Sequence, residues 1–88
     1  MRPTKGAIQV ARGEYYVSQD SERWKVQHND IIISFASPRA ALSAALTAAN
    51  QAGNRGFGGR VLVQRPDGKW RTEWVYGQDP FPDLPIAA

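Results

Sequence analysis

The stretch RWKVQHNDIIISFASPRAALSAALTAANQAG, residues 23–53, decides the fold, because the spacing of its apolar residues changes from strand-like to helix-like midway. Between Arg23 and His28, Trp24 and Val26 alternate with polar neighbours, the pattern of a strand with one buried side. Asn29-Asp30 suits a two-residue turn, and a second strand resumes at Ile31. Pairing His28 with Ile31 sets Val26 opposite Ile33 and Trp24 opposite Phe35, so this register matches apolar with apolar. Ser37 then has the side chain of an N-cap, and Pro38 suits the first helical position, where a missing N–H costs nothing. The alanines that follow favour helix up to Gly53, a natural left-handed stop, so the helix is expected over Pro38 to Ala52. Leu42, Ala45, Leu46 and Ala49 fall on one stripe of it, which should lie on the inward face of the sheet.

Upstream, Tyr15 and Val17 alternate with Tyr16 and Ser18, and Asp20, Ser21 and Glu22 form a turn, which adds a strand before Trp24. The expected inward face is Tyr15, Val17, Trp24, Val26, Ile31, Ile33 and Phe35. The outward face is Tyr16, Ser18, Arg23, Lys25, Gln27, Ile32 and Ser34. Downstream, a glycine-rich loop over residues 54–59 leads to a hairpin of Arg60–Arg65 and Trp70–Tyr76 around Pro66-Asp67-Gly68, with Val61 and Val63 inward. A two-residue turn at Asp67-Gly68 places Thr72 and Trp74 on the side of those valines; a bulged turn inverts them. The expected class is α+β, an antiparallel sheet with one helix on one face, in the order β-β-β-α-β-β.

The whole chain is 88 residues and 9.7 kDa with no cysteine and a net charge of +3. Area scaling leaves about 64% of the unfolded surface buried, enough for one core. With 42% hydrophobic and 22% charged residues the composition is that of a folded domain. Residues 1–13 hold Arg2, Lys5 and Arg12 without an acid, a basic N-terminal segment in which residues 7–11 read as an extra strand. Residues 14–77 form the single domain. Pro80, Pro82 and Pro85 make residues 78–88 an extended C-terminal tail. Absence of cysteine excludes disulfides and thiolate chemistry and agrees with a reducing compartment, and no apolar run spans a membrane or forms a signal peptide, so the cytoplasm is expected.

The order Tyr15-Tyr16-Val17, Trp24-Lys25-Val26, Phe35 before an alanine-rich helix, Val61-Leu62-Val63, Asp67-Gly68 and Glu73 to Tyr76 resembles a small bacterial family, domain of unknown function 2188. The resemblance covers residues 14–77 and implies the fold, and that family has no assigned activity. One departure is the helix. It carries a single charge, Arg39, where the family's helices resemble charged amphipathic ones.

The chemical inventory is short. His28 is the one histidine, and no two acids share a short element at catalytic spacing, so His28 reads as a strand-end residue before it reads as a general base. Scattered carboxylates and one imidazole do not make a metal site, so no enzyme, no metal and no cofactor are expected. The loop Arg55-Gly56-Phe57-Gly58-Gly59-Arg60 resembles one copy of an RNA-binding arginine-glycine segment, although a helix-to-strand connection needing positive φ has the same composition. Outward Arg23 and Lys25, with Arg71 on the same register, would join Tyr16 in a basic face, as would a merely solvated sheet. Behind the helix stripe, Ala40, Ala44, Thr47 and Ala48 are small and uncharged, which suits close packing of another chain as well as plain helix propensity.

The resulting expectation is a binding module that contacts another protein or a second copy of itself through Tyr16, Ala40, Ala44, Thr47 and Ala48. The alternative is weak, sequence-blind nucleic-acid binding through Arg23, Lys25, Arg55, Arg60 and Arg71.

Overall fold

The computed structural model describes residues 13–82. It contains β1 (Glu14–Asp20), β2 (Arg23–His28), β3 (Ile31–Phe35), α1 (Pro38–Asn54), β4 (Arg60–Gln64) and β5 (Trp70–Val75). The five strands form one sheet in the order β3-β2-β1-β4-β5. The expected extra strand at residues 7–11 lies outside the described residues.

The first three strands form an antiparallel meander with the expected register: Trp24 opposite Phe35, Val26 opposite Ile33, and His28 opposite Ile31. Val17 stands opposite Val26 on β1. The expected purely antiparallel sheet is corrected at the next step, because β4 pairs with β1 in parallel. Two hairpins make β3 run in the direction of β1, and the helix then carries the chain back to the starting end of the sheet. The strand after it must run the same way.

Helix α1 begins as its residues dictate. Ser37 is extended, with φ −139° and ψ 157°, and its Oγ accepts from the Ala40 N–H at 3.1 Å. Its end differs from expectation, since the helix runs through Gly53 to Asn54, Arg55 caps it, and Gly56 at φ +89° supplies the left-handed residue. Gly53 serves packing instead. A Cβ there would enter the ring of Tyr76, whose hydroxyl donates to Asn54 Oδ1 at 2.7 Å.

Val17, Val26, Val61 and Trp74 from the sheet meet Ala41, Ala45, Leu46 and Ala49 of the helix in one core. Tyr15, Trp24, Phe35, Leu42, Val63 and Tyr76 are partly buried around it. Three expected core residues are thereby corrected. Trp24 is half-buried beside Phe35, while Ile31 and Ile33 are 59% and 53% exposed. All three point to the helix side, but α1 packs mainly on β1 and β2, so the edge strand β3 extends past its cover.

The last hairpin resolves the open question of register through two irregularities. Arg65 and Lys69 close a three-residue loop, in which Gly68 at φ +88° donates its N–H to Arg65 O and Asp67 Oδ1 accepts from the Lys69 N–H. A bulge follows between the Val61 and Leu62 pairings, leaving Glu73 as the extra residue. Trp74 therefore faces inward with Val61, as a two-residue turn would also have had it. Thr72 faces outward with Leu62, and Arg71 pairs with Val63 on the helix side.

Of the expected extended tail, residues 83–88 lie outside the described residues, and the part before them turns back on the domain. Asp79 Oδ2 accepts from the Val75 N–H, Pro80 O accepts from Trp74 Nε1 at 3.1 Å, and Phe81 meets the Trp74 ring edge-on at 5.7 Å. Residues 78–82 thus dock on the domain.

Candidate functional site

The two edges of the sheet differ. On β5, Arg71 and Glu73 form an ion pair at 3.7 Å, Glu73 occupies a bulge, and the Asp79 carboxylate covers the Val75 N–H. Charge, bulge and a covering side chain all discourage pairing with another strand. On β3, Ile31, Ile32 and Ile33 are 59%, 56% and 53% exposed in succession, and the strand contains no charge, proline, glycine or bulge. Among the described residues no strand pairs with the outer side of β3, so its outward backbone groups stand beside exposed isoleucine. This is the arrangement that templates the addition of a strand.

The open face of the sheet holds a polar and aromatic cluster. Tyr16 donates its hydroxyl to Glu14 Oε1 at 2.7 Å, Arg60 approaches Glu14 Oε2 at 3.4 Å, and Trp70 packs edge-on against Tyr16 at 5.2 Å. The hydrogen bond to Glu14, with burial and the carboxylate's charge adding to it, raises the Tyr16 pKa, and Arg60 opposes the rise. A shallow cleft of about 350 Å³ beside this cluster is lined by Tyr16, Ser18, Lys25, Gln27, Gln64 and Trp70.

The five cations expected to bind nucleic acid do not share one surface. Arg23, Lys25 and Arg60 lie on the open face, where Arg23 donates to Ser34 Oγ at 2.6 Å and Arg60 is partnered by Glu14. Arg55 caps the helix and sits 5.8 Å from the Phe57 ring. Arg71 pairs with Val63 on the opposite side of the sheet from Lys25, which separates it from the basic face expected for it.

The expected protein interface is divided in the same way. Ala40, Ala44, Thr47 and Ala48 line an open groove of about 530 Å³ along the outer side of α1 with Ser37, Arg39, Ser43 and Gln51. Tyr16 is on the other side of the sheet.

His28 lies at the end of its strand, stacked on Tyr15 at 4.2 Å and 13°. Its Nδ1–H donates to Glu14 O at 3.1 Å, which leaves the lone pair on Nε2 beside the Asn29 amide at 3.4 Å. Tyr15, His28, Gln51, Arg55 and Phe57 border a groove of about 440 Å³. Its sequence signal was spread over three distant segments, so single-chain spacing did not reveal it. Among the described residues no three His, Asp or Glu side chains converge as metal ligands, and no described helix is long and apolar enough to cross a membrane.

No family model matches the chain, no curated protein matches it, and no solved structure matches it.

The β3 edge is the surface that reading the sequence missed. The run Ile31-Ile32-Ile33 carried a signal, since alternation predicts a polar residue at 32. Without the strand order, nothing marked that run as an edge.

Proposed function

We propose that the protein is a non-enzymatic interaction module that binds polypeptide by adding a strand to the free edge of β3. The observation that carries this reading is three consecutive exposed isoleucines on an edge strand, in a domain whose other edge is blunted. Main-chain hydrogen bonds would give the affinity, and the alternating isoleucines the apolar contact on each side of the sheet. The test is Ile32→Lys. It places a charge on the open side of the edge, where water accepts it in the free domain and a paired strand leaves it crowded. Sedimentation of the wild-type chain should show concentration-dependent association that the variant loses while its melting temperature stays within a few degrees. An unchanged association in Ile32→Lys rejects the edge.

A second reading rests on one further observation. Lys25 lines the cleft beside the Tyr16–Trp70 ring pair, and Arg23 lies farther along the same open face, a combination of cation and stacking surface that suits single-stranded nucleic acid. Arg60 and Arg71 each face a carboxylate and Arg55 is at the helix end away from this face, so about two phosphates rather than five would be neutralised, and the logarithmic salt slope for a labelled oligonucleotide should be near −1 to −2. No binding at low salt removes this reading.

A further inference from the structure

We infer that the partner of the β3 edge is a second copy of this chain, the two β3 strands pairing antiparallel about a twofold axis at Ile32. The inference rests on the reading of β3 as an interaction edge and adds the identity of the partner and its register.

The backbone restricts the register first. Asn29-Asp30 is a two-residue turn closed by the His28–Ile31 pair. In such a hairpin the closing pair exchanges both hydrogen bonds, and every second pair repeats the pattern. Ile31, Ile33 and Phe35 therefore direct their N–H and C=O groups to β2, while Ile32 and Ser34 direct theirs outward. A twofold axis through Ile32 places its free groups against the same groups of the second copy. It also brings each Ser34 opposite Asp30 of the other chain.

Charge then selects this arrangement. Strand β3 is itself uncharged, but its ends are not: Asp30 precedes it, and Arg23 is held over its far end by the 2.6 Å bond to Ser34 Oγ. Antiparallel pairing about Ile32 sets Asp30 of each chain beside Arg23 of the other, two opposite-charge contacts per dimer. Parallel pairing sets like ends together. An axis at Ile33 would face Ser34 with Ile32 and leave Asp30 past the Arg23 contact.

Side chains complete the fit. On the helix side, Ile31 and Ile33 of one chain meet Ile33 and Ile31 of the other, covering the residues that α1 leaves exposed. The contact is isologous and the β5 edge is blunted, so the assembly closes as a dimer and does not propagate. A pair of five-residue strands buries less than the roughly 1,200 Å² of a standard interface, so the dimer is weak and sensitive to its end charges.

The experiment is a charge exchange between chains, read by sedimentation at matched total concentrations. Asp30→Lys alone and Arg23→Glu alone each convert two attractions into two repulsions, and each should weaken self-association by about tenfold. An equimolar mixture of the two variants should restore association to about the wild-type level, because the mixed dimer has an opposite-charge contact at both ends. Both positions are exposed, and matching melting curves verify the folds. If Ile32→Lys abolishes association but the mixture is no tighter than either variant alone, the twofold register is overturned and the edge stands. If Ile32→Lys also leaves association unchanged, the edge and the dimer are both overturned, and a wild-type chain that stays monomeric at high concentration overturns the dimer.

Discussion

Gly53 shows how a single position can invert a local preference. Inside a helix, glycine to alanine ordinarily stabilises by about 1 kcal/mol. Here the added methyl meets the Tyr76 ring, which is anchored by its bond to Asn54, so the packing cost wins. Gly53→Ala should therefore destabilise by about 1 to 3 kcal/mol in urea melts, and in a Tyr76→Ala background the same change should be neutral or stabilising. Tyr16 offers a second test at this scale. Its pKa is raised by the hydrogen bond to Glu14, by burial and by the carboxylate's charge, so the folded state holds the phenolic proton more tightly than the unfolded state does. The stabilisation is fully present below the ordinary tyrosine value of about 10 and is lost as pH rises through the raised folded value. Alkaline melts of Tyr16→Phe should lack this loss, and ultraviolet titration of the variant should lack the late-ionising phenol.

Among the elements, the β4–β5 hairpin best separates what spacing reveals from what it hides. The β2–β3 register was legible residue by residue, because the two-residue turn at Asn29-Asp30 conserves the parity of alternation and the apolar partners coincide, whereas in β1–β2 Asp20, expected in the turn, pairs with Arg23. In β4–β5, a three-residue loop and a bulge each shift the parity, so Trp74 returns to the inward side while Thr72 and Arg71 exchange sides. The bulge leaves no mark in composition. The parallel pairing of β1 with β4 was implicit in the strand and helix order, but only if the direction of each connection is followed. The consequence for stability falls on Trp74, which is 4% exposed and bonded to Pro80, whereas Trp24 is only half-buried. Trp74→Ala should cost about 3 to 5 kcal/mol and threaten the fold of so small a domain, with Trp24→Ala clearly milder. Equal losses in the two denaturation curves would contradict this division of the core.

Among the described residues, one helix of modest width packs mainly on β1 and β2 of a five-stranded sheet, and of the two less covered edges it is β3 that is apolar and unblunted. Its alanines let α1 lie close to β4, where a Cβ on Gly59 would collide with the Ala49 backbone. The same small side chains limit how far the helix reaches across the sheet. The core residues Val17, Val26 and Val61 were legible from alternation. Strand order, which turns Ile31 and Ile33 from core into edge, is a property of the assembled sheet. So is the separation of the five cations among different surfaces, because β-strand register and helix end decide where each emerges.

Pairing of the outward groups of β3 with another strand is read out by residue-resolved amide hydrogen exchange at increasing protein concentration. Exchange at the Ile32 and Ser34 amides should slow as concentration rises, while the outer amides of β5 do not respond. Unchanged exchange at Ile32 and Ser34, or concentration-dependent protection confined to other parts of the domain, would contradict it.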